Sequence, residues 1–250
     1  MLTFKIKSIR WVIMKHVMVS AFLLSALVTV SIHAATKPST LVVGTTGDYP
    51  PLTRYHPDTR TFSGSAIQLI EAFAKATHRR IKFVRTTWVD LSNDLQQGKF
   101  QMAVGGISSS PERAKLFLMS DPVLRFGKVA LVRCGDEGKY NTLKKIDCYP
   151  TRVVENLGGT NAQFAHDHIK NAVLIIVPKN ALTFDYLIHN KADVMFTDST
   201  EAIYRQQQHD GLCAVNPAKP YTNETKVFLF RKNEQALRQQ FNAWLKTQHK

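Results

Sequence analysis

Apolar residues recur along this chain in two alternating rhythms. Short unbroken runs, Leu41-Val42-Val43, Ile81 to Val84 and Met102-Ala103-Val104, predict strands. Between them, Ala66 to Ala76 carries apolar residues at helical spacing, and Trp88 to Gln97 reads as a second helix closed by Gly98. Ser110 followed by Pro111 marks a further helix start. A serine hydroxyl accepts from first-turn N–H groups, and proline fits the first helical position. The first strand runs into Thr45-Thr46-Gly47-Asp48-Tyr49-Pro50-Pro51, whose composition reads as a loop.

The same rhythm restarts after Lys128. Strands are predicted at Val129 to Val132, Arg152 to Val154, Val173 to Val177 and Val194 to Phe196. Gly158-Gly159-Thr160-Asn161 leads into a helix from Ala162 to Lys170, and a second helix covers Ala181 to Asn190. A late strand at Lys226 to Phe230 and an amphipathic helix from Asn233 to Thr247 complete the pattern. Strands alternating with helices predict an α/β fold around mostly parallel sheets. The two runs, and a chain that returns to the first, imply a hinged two-lobed molecule. Lobe 1 is expected to comprise residues 35–128 plus 222–250, and lobe 2 residues 129–221.

The first residues break this pattern. Lys5, Lys7, Arg10 and Lys15 precede the apolar run Val17 to Ile32, which ends in His33-Ala34-Ala35. A basic start, a short apolar stretch and small residues at its end form an export signal, assigned to residues 1–34. The run is too short and too interrupted by Ser and Thr to make a good membrane span. Export through that signal predicts a periplasmic protein.

Charge narrows the partners. The whole chain carries a formal +14. The leader holds four of the 33 Lys and Arg and none of the 19 acids, which leaves +10 on the remainder. A basic balance favours an anionic partner, whether a carboxylate ligand, a nucleic acid or an anionic membrane surface, or is simply a solvated basic surface. The bases are scattered and no nucleic-acid motif appears, so nucleic acid is not an expected partner. Three cysteines, Cys134, Cys148 and Cys213, lie beyond the leader. In an oxidising compartment one disulfide and one leftover thiol are expected, with three pairings open. None of the cysteines has zinc-ligand spacing, and no metal or organic cofactor is expected.

The candidate chemistry gathers where strands give way to helices. Arg113, at a helix start, can clamp a carboxylate through paired hydrogen bonds. The Gly159-Thr160-Asn161 turn brings backbone N–H groups to a second helix start. Ser108 offers a hydroxyl, unless it only helps cap the neighbouring helix. Trp88 can wall a ring-shaped ligand or simply pack in the hinge. Lys128 lies near the first crossing between lobes, where a cation could reach a second carboxylate or tune Glu201; as a lone lysine it reads as solvated. Thr197-Asp198-Ser199-Thr200-Glu201 follows an apolar run and carries two carboxyls at capping-box spacing. By spacing alone Glu201 is a helix cap; buried in a cleft, it would be a proton donor.

Taken together, VVGTTGDYPPL, TTWVDLSNDLQQGKFQMAVGGISSSPERAK, the Gly-Gly-Thr-Asn loop and ADVMFTD resemble family-3 extracellular solute-binding proteins. The likeness spans nearly the whole chain after the leader. It implies the two-lobed periplasmic-binding-protein (type II) fold, with a ligand in the cleft between lobes. A narrower resemblance is to exported cyclohexadienyl dehydratases on the same frame, which act on prephenate and arogenate. It is carried by Thr45 to Tyr49, Val123 to Lys128, Asn156 to Asn161, Thr197-Asp198-x-x-Glu201-Ala202 and Leu212 to Val215. Ser65 to Gln68 departs from the pattern, as does an end at Lys250 without the enzymes' longer helical tail.

The narrower resemblance implies Glu201 as general acid with Lys128 beside it. Arg113, Ser108, Trp88, Gly159, Thr160, Asn161, Asp198 and Tyr49 would then bind prephenate or arogenate. The rival is a non-enzymatic carrier of a polar amino acid, with Asp198 holding the ligand ammonium and an ABC permease as partner. Cys134 and Cys213 lie in family-like segments and are the preferred disulfide pair.

Overall fold

The computed structural model describes residues 39–248, so the leader assigned to residues 1–34 lies outside the described residues. The strands of the first half are β1 (Thr40–Thr45), β2 (Asp48–Tyr49), β3 (Thr53–His56), β4 (Thr61–Ser63), β5 (Arg80–Arg85), β6 (Met102–Ala103), β7 (Leu118–Met119) and β8 (Leu124–Phe126). The second half adds β9 (Lys128–Arg133), β10 (Arg152–Asn156), β11 (Val173–Val177), β12 (Val194–Asp198), β13 (Leu212–Val215), β14 (Glu224–Lys226) and β15 (Leu229–Phe230). The helices are α1 (Ser65–Ala76), α2 (Leu91–Gln96), α3 (Pro111–Leu116), α4 (Leu143–Ile146), α5 (Thr160–His168), α6 (Asn180–Ile188), α7 (Ser199–Gln207) and α8 (Gln235–Leu245).

Two five-stranded sheets carry the molecule, in the orders β5-β1-β6-β15-β7 and β11-β10-β12-β9-β13. Each is mixed rather than mostly parallel, which corrects the expectation. In the first sheet β1 runs parallel to β5 and β6, while β15 runs antiparallel to β6 and β7. In the second, β10 is parallel to β11 and β12, while β9 is antiparallel to β12 and β13. The reversal comes from the crossings: β9 and β15 are the strands by which the chain enters the second sheet and re-enters the first. Between those crossings β8 and β14 pair as an antiparallel ribbon.

The expected late strand, Lys226 to Phe230, is two strands. Lys226 pairs with Leu124 in the ribbon, whereas Leu229 pairs with Ala103 and Met119 in the first sheet. Val227 and Phe228 make the change of partner, donating to the Ile107 carbonyl and the Ser120 hydroxyl. The loop expected after β1 also contains structure: β2, β3 and β4 form a small antiparallel sheet. Trp88 lies in the turn before α2 rather than inside a helix.

Helix faces explain the packing of the first sheet. α1 buries Ala66, Ile67, Ile70, Phe73 and Ala74, and α8 buries Leu237, Phe241 and Leu245. Phe73 meets Phe241 edge-on, with ring centroids 5.2 Å apart. Each such fully buried ring stabilises the fold by roughly 1.5–3 kcal/mol relative to exposure. β12 is buried along its whole length. Its side chains alternate, with Met195 in one apolar cluster and Val194 and Phe196 in another. Such a central strand has to be short and apolar, and its polar residues, Thr197 and Asp198, fall at the carboxyl end. That is where clefts open in α/β sheets.

The second sheet is fastened by a disulfide between Cys134 and Cys213, the preferred pair. The antiparallel register of β9 and β13, with the Cys134 N–H donating to the Gly211 carbonyl, sets the two residues side by side. Cys148 is a free, exposed thiol.

Candidate functional site

Two carboxyls three residues apart meet opposite surroundings where β12 becomes α7. Asp198 stands at the N-cap position, yet its side chain makes no capping bond. Its Oδ1 accepts from Lys128 Nζ at 2.6 Å, and its Oδ2 accepts from Lys226 Nζ and from the Tyr49 hydroxyl. All four side chains are buried. Burial alone would raise the Asp198 carboxyl, but the Lys128 and Lys226 ammonium groups outweigh it and hold it at about 2.

Each ammonium spends its three N–H donors on oxygen. Lys128 Nζ also donates to Asn161 Oδ1 at 2.5 Å and to Thr160 Oγ1 at 3.0 Å. Lys226 Nζ donates to the Gly106 carbonyl at 2.8 Å and to Ser108 Oγ at 2.9 Å, and it lies 4.0 Å from the centre of the Phe126 ring. Burial draws Lys226 down to about 8, although Asp198 pulls the other way, so it remains an ammonium at neutral pH. The Tyr49 hydroxyl is pushed up by burial first and then by the charges of Asp198 and Glu201, which keeps it a neutral donor.

Glu201 lies in the first turn of α7 and is 0 % exposed. Thr197 Oγ1 donates to its Oε2 at 2.6 Å, and Asn180 Nδ2 donates to its Oε1 at 3.2 Å. Among the described residues no cation stands within ion-pair distance of it. Burial, acting against the Thr197 bond and reinforced by the Asp198 charge, lifts this carboxyl to about 7. A capping box would turn both side chains to backbone N–H groups, and neither one is so turned.

A small cavity of about 20 Å³ sits at this junction, room for about one water and well below the size of a substrate site. Seven of the ten residues singled out in the sequence line it: Tyr49, Trp88, Arg113, Gly159, Thr160, Asn161 and Asp198. Ser108, Lys128 and Glu201 stand behind that lining, each bonded to a residue that forms it. Lys128 reaches Asp198, Thr160 and Asn161 rather than Glu201. A wider outer cleft of about 590 Å³ shares Arg113, Gly159 and Thr160 with the inner cavity.

The two sides of the cleft touch through named contacts. Thr160 Oγ1 donates to Ser108 Oγ at 3.2 Å, and Asn180 Nδ2 donates to the Asp48 carbonyl at 3.2 Å. Arg113 Nη1 donates to the Ser108 carbonyl at 2.6 Å, while Ser110 Oγ caps the Arg113 N–H. Trp88 packs edge-on to Tyr49 and donates from Nε1 to Asp48 Oδ1 at 3.0 Å. Gly158, at φ +86°, lies against the Trp88 backbone so closely that a Cβ would meet it at 2.8 Å. A side chain there would prop the two sides apart.

Four lining residues were not among the expected site residues: Gly106, Asn156, Asn180 and Lys226. Lys226 opens an apolar stretch and could have been noticed as a lysine at the second crossing. A further buried carboxyl, Glu155 on β10, accepts from the Phe196 N–H at 2.6 Å, and burial holds it well above the usual carboxylate range.

The chain is similar to known proteins on both sides of the carrier–catalyst divide. It is 33% identical over 205 residues to the cyclohexadienyl dehydratase of Pseudomonas aeruginosa, covering 82% of this chain and 76% of that one. It is 23% identical to a probable amino-acid ABC transporter-binding protein of Haemophilus influenzae, covering 84% and 79%. Among solved structures it superposes, with a TM-score of 0.77 and 31% identity, on the ancestral amino acid-binding protein AncCDT-1, a precursor of cyclohexadienyl dehydratase. That match covers 84% of this chain and 89% of the other. The enzyme and the ancestral binding protein are thus almost equally similar to it, and identity does not separate the two functions. The family model for bacterial extracellular solute-binding proteins, family 3, matches residues 41–250, and the chain belongs to that family.

Proposed function

We propose that this protein is an exported, periplasmic dehydratase that converts prephenate to phenylpyruvate, and arogenate to phenylalanine by the same chemistry. Glu201 is its general acid. The observation that carries the reading is Glu201 itself: a fully buried carboxyl, bonded to Thr197 and Asn180 and lifted to about 7. A carboxyl still about half protonated at pH 7 can supply the proton that a hydroxide leaving group needs.

In the proposed reaction Glu201 gives its proton to the ring hydroxyl of prephenate, and the C–O bond breaks to release water. The bond from the ring to its carboxylate breaks in the same direction, carbon dioxide leaves, and the electron pair completes the aromatic ring. Glu201 is left as a carboxylate and is reprotonated from solvent. Arg113 and the start of α5 at Thr160 hold the ligand carboxylates, and Lys128 keeps Asp198, Thr160 and Asn161 in register. Asn180 borders the cavity, and its hydrogen bond to Glu201 is the one a substrate oxygen would take over.

The 31% likeness to an ancestral amino acid-binding protein favours a second reading, a carrier that delivers an amino acid to an ABC permease. Purified protein mixed with prephenate separates the two, with phenylpyruvate followed by its alkaline absorbance. Turnover is the expected result. No turnover, together with a thermal shift from an amino acid, would leave the carrier.

A further inference from the structure

We infer that Lys226 makes this cleft select ligands bearing a carbonyl, rather than an ammonium, next to their carboxylate: 2-oxo acids such as prephenate over 2-amino acids such as arogenate. The inference rests on the same cleft as the proposed function but not on its chemistry.

An ammonium entering the cavity needs acceptors and a compensating charge. The ionised carboxylate lining that space is Asp198. A carboxylate offers about four acceptor positions. Lys128, Lys226 and Tyr49 already fill three of those on Asp198. Its one negative charge therefore faces two ammonium groups, and Arg113 joins Lys226 as a second cation in the lining. Asn161 Oδ1 is taken by Lys128, and Asp48 Oδ1 is turned to the Trp88 indole. Glu201 does not line the cavity and lies behind Asn180. Asn180 Oδ1 is buried without a partner and offers one neutral acceptor, too little for a cation with three donors.

Lys226 is the group responsible. Lys128 alone would leave Asp198 Oδ2 with only the Tyr49 hydroxyl and half of its charge to share. Lys226 closes that side from the second lobe crossing, held by Gly106 and Ser108. A ligand carbonyl meets no such conflict, because it brings no charge and needs only a donor, such as the Arg113 guanidinium, of which only Nη1 is taken.

Phenylpyruvate and L-phenylalanine form a matched pair differing in this group alone, and titration calorimetry on the purified protein tests the inference directly. Phenylpyruvate should bind at least tenfold more tightly, a difference of about 1.4 kcal/mol. Equal or tighter binding of L-phenylalanine would overturn the proposal. In Lys226→Met the ratio should move at least tenfold toward the amino acid, with thermal unfolding used to check that the variant is folded. Lys226→Gln, which can keep the bond to Ser108, serves if the first variant does not fold. A folded variant with the wild-type ratio would remove the role from Lys226. Prephenate that bound without being converted would end the dehydratase reading and leave this selectivity standing.

Discussion

Asp198 and Glu201 leave the same strand end, are equally buried, and are handled in opposite ways. Around Asp198 the protein gathers two lysines and a tyrosine from distant parts of the chain, and the carboxyl stays ionised at about 2. Around Glu201 it places a threonine and an asparagine, neutral donors only, and the carboxyl rises to about 7. Burial pushes both upward; the two lysines pull Asp198 down, whereas Glu201 has no such ion pair and feels the Asp198 charge as well. One carboxylate is a structural counter-ion that holds the cleft's cations together. The other stays partly protonated at neutral pH and is the acid of the proposed reaction.

The contrast can be broken most severely at Asp198. Asp198→Asn would leave Lys128 and Lys226 buried without their counter-ion, and losing one member of a buried pair costs about 3–5 kcal/mol. Urea unfolding at neutral pH should show a loss of that size. Acid removes the same support in the wild type. A carboxyl lowered from 3.8 to about 2 contributes stability that is complete above pH 4 and disappears as pH falls through 2.

Glu201→Gln should act with the opposite sign. A carboxyl raised from 4.5 to about 7 contributes stability that is present below pH 4.5 and is lost as pH rises through 7. Above that pH the wild type bears a burial cost of about 3 kcal/mol. The amide variant should thus be more stable than wild type at pH 8 and lose the advantage by pH 4.5, as read by thermal melts at the two values. A variant less stable at pH 8 would mean that Glu201 is comfortable as a carboxylate.

A smaller change sharpens the comparison. Thr197→Val removes the hydroxyl that donates to Glu201 and draws its carboxyl downward. The expected cost is about 1–2 kcal/mol of stability. The alkaline limb of any activity profile should move to higher pH. Movement to lower pH would contradict the assigned direction of that hydrogen bond.

Much of this was legible in the sequence, and the exceptions share a cause. The alternation of apolar runs and helical faces located β1, β5, β9, β11 and β12 and most helices, because those elements are set by local burial. The 226–230 segment read as one strand because apolarity does not tell which neighbours a strand will pair with; here the partners change midway, from Leu124 to Ala103. The mixed sheets were missed for the same reason, since strand direction depends on where the chain crosses. Asp198 and Glu201 stood out by spacing, but spacing fitted a helix cap equally well. What distinguishes them is Lys226, 28 residues away, and Asn180, 21 residues away. Contacts at that range leave no periodic trace.

The most direct test of the central claim is the pH dependence of phenylpyruvate formation from prephenate by wild type and Glu201→Gln. With Glu201 as the acid, wild-type kcat should be level below about pH 7 and fall about tenfold per unit above it. The variant should lose at least about 100-fold at neutral pH and show no such limb. A Glu201→Gln protein that turns over prephenate at the wild-type rate, with the wild-type profile, would contradict the account.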